Sequence, residues 1–238
     1  MRSLLRNRNG SPPEGTLPVA QAYERWALTY DQSPNPLLVR EERYLLPLLP
    51  RLQGRRALDL ACGTGRWLEK LRDAGARAVG VDSSTAMLDV ARHKSALQGQ
   101  FARADCLQLP FPAAVFDFAI CSFAISHFRF LEGAIRELAR VLKPNSQLWI
   151  SDLHPEAHKR GWRTGFRDQS SVWHIETWPR SVRKLASTYT SSGFETAKQV
   201  SLHLERPEQP IFERANKAHV FENACTVPAI MVWHLKRT

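Results

Sequence analysis

Two glycines, a carboxylate and two histidines are the residues whose types and spacing could do chemistry. Gly63 and Gly65 follow the apolar run Ala57-Leu58-Asp59-Leu60-Ala61, which only Asp59 interrupts. They precede Trp67 to Ala74, a helical stretch that ends at Gly75. A strand, a tight glycine turn and a helix make the first half of a nucleotide-binding βαβ unit. The glycines let the backbone pass close to a ligand, and the helix start offers unpaired N–H groups to an anion. Asp82 comes about twenty residues later, where a carboxylate meets ribose hydroxyls in this type of unit. Its two oxygens suit a vicinal diol. His127 and His154 follow the fourth and fifth expected strands. Ligands bind at the carboxyl ends of strands in open α/β sheets, and imidazole titrates near working pH, so both are candidate bases. For His127 the competing reading is a structural residue that caps the next helix. For His154 a catalytic or substrate-binding role stands against a structural one.

The elements that must position these residues alternate between strand and helix. Strands are expected at Ala57 to Ala61, Ala78 to Val81, Gln100 to Ala104, Phe116 to Cys121, Gln147 to Ser151, Phe194 to Leu204 and Ala229 to Leu235. Between them, helices are expected over Trp67–Ala74, Thr85–His93, Leu131–Leu142 and Ser181–Ser192. In the Leu131–Leu142 helix, Ile135, Leu138, Ala139 and Leu142 share one face. This alternation is the signature of an α/β fold. Ahead of the first strand, Val19 to Tyr30 carries Tyr23, Trp26, Ala27 and Tyr30 at helical spacing. Ser33-Pro34-Asn35-Pro36 breaks the chain, and Asn35 can cap a second helix running towards Pro47.

The ligand at the glycine turn can be narrowed. A dinucleotide fingerprint needs a third glycine to pack helix on strand, and Leu68 stands in that place. The string Leu58-Asp59-Leu60-Ala61-Cys62-Gly63-Thr64-Gly65 instead closely resembles the first motif of the class I S-adenosylmethionine-dependent methyltransferases. Asp105-Cys106 and the phrase Leu109-Pro110-Phe111-Pro112 through Asp117 resemble further family motifs in order, so the likeness runs from Leu58 to Asp152. It resembles most the small-molecule branch with the quinone C-methyltransferases and the biotin-pathway O-methyltransferase. The resemblance implies a Rossmann-like seven-stranded sheet, six strands parallel and the last antiparallel, with an N-terminal helical lid. The phrase Tyr23-Glu24-Arg25-Trp26 through Asp31 looks like that lid.

The implied cofactor is S-adenosyl-L-methionine. The resemblance gives it Tyr30, Asp59, Ala61, Gly63, Gly65, Asp82, Ser83, Asp105, Cys106 and Cys121. Met87 is expected either against the adenine face or as plain core. The acceptor is given Tyr23, Trp26, His154, Trp162 and Trp173. Enzymes of this fold that methylate exocyclic amines carry an Asn/Asp-Pro-Pro-aromatic tetrad after strand four. This chain has Cys121-Ser122-Phe123-Ala124 there, which argues against that chemistry. Asp152 alone is too little for magnesium, so no metal is expected.

The domain expectation is a disordered tail over residues 1–17, a helical lid over 18–54 and the cofactor-binding domain over 55–238. The 153–180 stretch, with its three tryptophans, forms a substrate-facing insertion. The 238 residues, 43% hydrophobic, can bury one sizeable α/β core. The charge of +10 favours anionic partners. The basic residues are scattered and no RNA-binding motif is present, so nucleic acid is not expected. The resemblance implies a small-molecule substrate, and the aromatic-rich cover and the charge suit one of anionic or aromatic character. Four cysteines without zinc or redox spacing fit reduced thiols in a cytoplasmic protein. No stretch reads as a signal peptide or membrane span, and a monomer or homodimer is expected. Two alternatives stay open: an RNA or protein methyltransferase, and a protein that binds the cofactor without transferring its methyl.

Overall fold

The computed structural model describes residues 14–32, 34–94, 100–168 and 171–238. In chain order the elements begin with β1 (Glu14–Leu17), α1 (Val19–Trp26), α2 (Pro36–Leu45), β2 (Arg56–Leu60), α3 (Arg66–Asp73), β3 (Arg77–Asp82) and α4 (Thr85–Arg92). There follow β4 (Phe101–Arg103), β5 (Phe116–Ser122), α5 (Leu131–Val141), β6 (Leu142–Leu153), α6 (Pro155–Lys159), β7 (Gly165–Asp168) and β8 (Ser171–Ile175). The chain closes with α7 (Val182–Ser191), β9 (Phe194–Leu202), α8 (Gln209–Arg214), α9 (Phe221–Cys225) and β10 (Ile230–Arg237).

Seven strands form the main sheet in the order β4-β3-β2-β5-β6-β10-β9. β10 runs antiparallel to both β6 and β9, and the other pairings are parallel. This is the sheet expected from the sequence. The chain winds outward from β2 through β3 to β4, then returns to β5 on the other side of β2. A crevice opens at such a reversal, outside the carboxyl ends of the strands. β2 is covered on both faces, which is why it reads as an apolar run. Trp67, Leu68 and Leu71 of α3 pack on one face of the sheet, and Leu131, Ile135 and Leu138 of α5 belong to the cluster on the other. Local caps set the helix starts. Asn35 accepts from the Leu37 N–H at 2.9 Å, and Ser84 from the Met87 N–H at 3.3 Å.

A second, three-stranded sheet has the order β1-β8-β7. Glu14 to Leu17 were expected within a tail, yet they pair in parallel with Val172 to Ile175. Four residues with one large apolar side chain carry no alternation to announce a strand. Their reason for order lies in a partner far along the chain. The rest of the expected tail, residues 1–13, lies outside the described residues, as does Ser33 of the expected break. This sheet and α1 share a small core of Ala22, Phe166 and Ile175, flanked by Leu17, Tyr23 and Trp26. The two segments expected to cover the crevice are therefore parts of one unit. The helix expected to reach Tyr30 tightens into a 3₁₀ turn over Ala27–Gln32. Among the described residues no helix is long and apolar enough to cross a membrane.

Candidate functional site

A cavity of about 320 Å³ sits at the carboxyl ends of β2, β3 and β5, under α1 and its 3₁₀ extension. Ala61, Gly63, Asp82, Ser83, Met87, Asp105 and Cys106 line it, and Tyr23 and Tyr30 cover it. The structure thus brings most of the expected cofactor residues together. A wider cleft of about 790 Å³ opens at the other end of the sheet, beside Arg56 and Arg77 at the strand starts. Glu69, Arg72 and Asp73 from the C-terminal half of α3 line it, so the helix turns its negative pole that way.

The glycine turn is built from left-handed backbone. Ala61, Gly63 and Gly65 have φ of 57°, 53° and 88°. Gly63 has open space where a Cβ would lie, so its conformation, not crowding, calls for glycine. Phe123, at the end of β5, is also left-handed with φ of 50°. Strained non-glycine residues such as Ala61 and Phe123 persist where the surroundings over-determine them, and both line the cavity.

Asp82 holds this turn to β3. Its Oδ2 accepts from the Gly63 N–H at 2.9 Å and its Oδ1 from the Ser84 N–H at 2.8 Å. Burial pushes its carboxyl up, and these N–H groups oppose the shift. Each oxygen keeps a further lone pair. Asp105 accepts from the Leu107 N–H at 2.9 Å. Burial, with Asp105 beside it, pushes the Cys106 thiol up to about 12, so it is no thiolate. Met87 is 1% exposed and also lines the cavity, so it serves as core and as wall at once.

Three expected cofactor residues do not reach the cavity. Gly65 caps α3 behind the turn. Asp59 is 2% exposed beneath it. Burial pushes its carboxyl up to about 8 against the charge of Arg66 and the Leu68 N–H, and its Oδ2 has no partner. Cys121 is fully buried in the core, because side chains alternate along β5 and Ser122 takes the cavity side.

The structure gives the two histidines different surroundings. His127 lines the cavity from a 3₁₀ turn over Ile125–His127. Its Nδ1 lies 3.0 Å from the Glu176 carbonyl, which can only accept, so Nδ1 carries the proton. Nε2 is then an acceptor, and the Tyr23 hydroxyl donates to it at 3.1 Å. Burial lowers His127 below the ordinary histidine value and raises the Tyr23 phenol well above its own. Asp152, set aside as a lone metal ligand, accepts from the Ser126 N–H at 2.7 Å and its hydroxyl at 3.1 Å, and so fixes this turn.

His154 does not face the cavity. Its Nδ1 accepts from the Glu156 N–H at 3.1 Å, capping α6, and its Nε2 donates to Ser201 Oγ at 3.1 Å. Neither nitrogen keeps a lone pair for a substrate proton. The reason is the following Pro155, which starts a helix and turns His154 into its cap. His154→Ala is expected to cost about 1 kcal/mol of stability, as a lost cap does, and to leave turnover at the wild-type level. Denaturant unfolding and kcat measured on the same variant check both halves.

Of the expected acceptor residues, only Tyr23 lines this cavity. Trp26 stacks on Phe166 at 5.3 Å and meets Tyr30 edge-on at 4.7 Å, and with Trp162 it lines a neighbouring cleft. Trp173 lines neither. The Arg25 guanidinium lies 4.8 Å over its ring, and Gly15 packs against its edge.

Sequence reasoning missed Glu41. It is fully buried and accepts from Arg66 Nη2, Trp67 Nε1 at 3.1 Å, Ser122 Oγ at 2.7 Å and Ser151 Oγ. Arg66 Nη2 also donates to Ser122 at 2.8 Å. This network ties α2 to the start of α3 and the ends of β5 and β6, behind the cavity wall. Thr64 of the glycine turn donates to Asp31 at 2.8 Å, a second tie between core and cover. A charged residue in the middle of an expected helix is the one signal at Glu41, and solvent-facing glutamates give the same signal.

Residues 58–150 match the family model described as a methyltransferase domain. A demethylmenaquinone methyltransferase of Thermus thermophilus is 41% identical over 106 residues, 42% of this chain and 48% of its own. A malonyl-[acyl-carrier protein] O-methyltransferase of Enterobacter lignolyticus is 32% identical over 155 residues, 64% of this chain and 61% of its own. The chain thus spans less than two thirds of the length of these curated relatives. Among solved structures, an S-adenosylmethionine-dependent methyltransferase of Mesorhizobium loti superposes with a TM-score of 0.66 at 22% identity, covering 85% of this chain and 100% of the other. At that identity the likeness concerns the fold.

Proposed function

We propose that the chain, whose residues 58–150 match the methyltransferase-domain model, transfers a methyl group from S-adenosylmethionine to a small-molecule acceptor, with oxygen the favoured acceptor atom. The carrying observation is the charge of the cavity wall at the glycine turn. Asp82 and Asp105 face the space, and among the described residues Arg129 is the one Lys or Arg that lines it. A cofactor diphosphate there would meet two carboxylates, whereas a sulfonium cation bearing a ribose diol is attracted by them. Leu68, fully buried where a dinucleotide site needs glycine, agrees.

The residues divide the task. Asp82 has lone pairs left for two ribose hydroxyls. Met87, Asp105 and Cys106 form the wall for the adenine. Gly63 and Ala61 bring backbone close, and Tyr30 covers the amino-acid end. S-adenosylmethionine supplies an already activated methyl, so the protein's part is position and a dry pocket, and effective molarity can account for roughly 7–11 kcal/mol of the barrier. Tyr23 and His127 then provide a place for an acceptor proton. An acceptor hydroxyl gives its proton to Nε2 directly, or to the Tyr23 oxygen while Tyr23 passes its own to Nε2. A deprotonated hydroxyarene can present oxygen or ring carbon, so the quinone methyltransferases among the relatives keep carbon as a second acceptor atom.

Calorimetry with S-adenosylhomocysteine tests the cofactor assignment. Two hydrogen bonds to a charged group, each worth about 1.5–3 kcal/mol, are lost, so Asp82→Ala is expected to weaken binding by about a hundredfold or more. Wild-type affinity in that variant would take Asp82 out of the site, and a preference of the native protein for a nicotinamide dinucleotide would defeat the proposal.

A further inference from the structure

Beside the cofactor cavity lies a second cleft of about 1040 Å³, and Tyr30 belongs to the walls of both. Its inner surface is apolar. Leu204, Val227 and Phe166 are 2%, 3% and 8% exposed, and Trp26 and Trp162 flank them. Its rim is cationic. Arg160 follows α6, Arg167 lies on β7, Lys217 joins α8 to α9, and Arg163 stands between α6 and β7. All four are exposed. Among the described residues no carboxylate lines this cleft and none of the four cations makes an ion pair. Arg163 is not loose. Its Nη1 donates to the carbonyls of His158 at 2.7 Å and Trp162 at 2.8 Å, which holds the guanidinium at the rim.

Like charges gathered from separate elements without an ion-pair partner repel one another, and an arriving anion relieves that repulsion. An apolar interior below them suits the body of the same molecule. None of the four cations lines the cofactor cavity, and Tyr30, packed edge-on against Trp26, is the lining residue the two spaces share among those described. The anion that the rim holds is therefore not the atom that receives the methyl group. We infer that this cleft takes the acceptor by a remote anionic handle, a carboxylate, sulfonate or phosphate on an aryl or acyl body, while the opposite end of the molecule reaches past Tyr30 towards Tyr23 and His127. The inference rests on the methyl-transfer reading for its purpose, although the cleft's preference for anions stands or falls separately.

Matched probes read that preference. Calorimetry on the full chain with S-adenosylhomocysteine present would compare 4-phenylbutyrate with the neutral 4-phenylbutanamide. The carboxylate is expected to bind more tightly. In R160Q/R163Q/K217Q it should bind about tenfold more weakly, three exposed pairs each adding the modest amount usual at a surface. The amide and S-adenosylhomocysteine should bind as before, and added salt should erode only the carboxylate's advantage. Equal binding of the two probes, binding of neither, or an unchanged preference in the triple variant would overturn the inference. Failure of S-adenosylhomocysteine to bind would instead defeat the methyl-transfer reading and leave the probe comparison readable. A second readout is labelled methyl transfer to a metabolite extract. Because the handle survives the reaction, labelled products should stay on an anion exchanger, and elution with the neutral fraction would contradict a remote handle.

Discussion

His127→Ala is expected to lower kcat for a hydroxyl-bearing acceptor by about 10²–10⁴-fold while leaving S-adenosylhomocysteine affinity nearly unchanged. The Glu176 carbonyl fixes the tautomer, so the lone pair on Nε2 is aimed at Tyr23 and the cavity. Burial holds His127 below its ordinary value, so the base form persists to lower pH than in a free histidine. The acid limb of the wild-type rate should accordingly lie below about pH 6.5, the unperturbed histidine value. Tyr23→Phe separates the two routes. A direct transfer to Nε2 survives it, whereas a relay through the phenol does not. The same shift has a sign for stability. Below the unfolded-state value the unfolded chain binds the proton and the folded chain resists it, so stability falls as pH drops through that window. His158, pushed down to about 4 mainly by burial, acts in the same direction and stays in the variant. A variant with wild-type kcat and an unmoved acid limb would make His127 a structural residue.

Glu41→Ala should cost about 3–5 kcal/mol, because it strips a buried carboxylate from its partners. Arg66 would lose its principal counter-charge, and Trp67, Ser122 and Ser151 would each lose an acceptor. The loss should appear as a lower denaturation midpoint with little change in slope. Arg66→Ala in the same background should add far less than it does alone, since the pair acts as one unit. Replacing both by well-packed apolar residues should recover much of the loss, because the ion pair is itself costly to bury. A midpoint within experimental error of the wild type would mean that water replaces the carboxylate without penalty.

The parts of the site that were legible in the sequence are those whose meaning lies in nearby residues. The strand, the two glycines and the start of α3 are one continuous string. Asp82 is placed by a spacing that the βαβ unit fixes, and Met87 and Asp105 follow at the ends of adjacent elements. The histidines could not be ranked in this way. Both stand after strands, and what separates them is Tyr23 and Glu176 around one, and Glu156 and Ser201 around the other. Those partners are set by tertiary contact. Cys121 misled because a strand-end position says which end of the sheet a residue occupies, not which face. Glu41 carries no local mark that tells it from a solvent-facing glutamate, since its donors come from α3, β5 and β6. The short strands of the second sheet were invisible for the same reason.

That second sheet also bears on how the chain assembles. Its first strand is among the earliest residues described, and its partner β8 follows most of the main sheet in sequence. Closing so long a loop early carries an entropic cost with little local reward. During synthesis β1 has no pairing partner until β8 has emerged, after β2 to β6. The strands around the crevice thus precede β8 in the chain, while β9 and β10, which complete the main sheet, follow it.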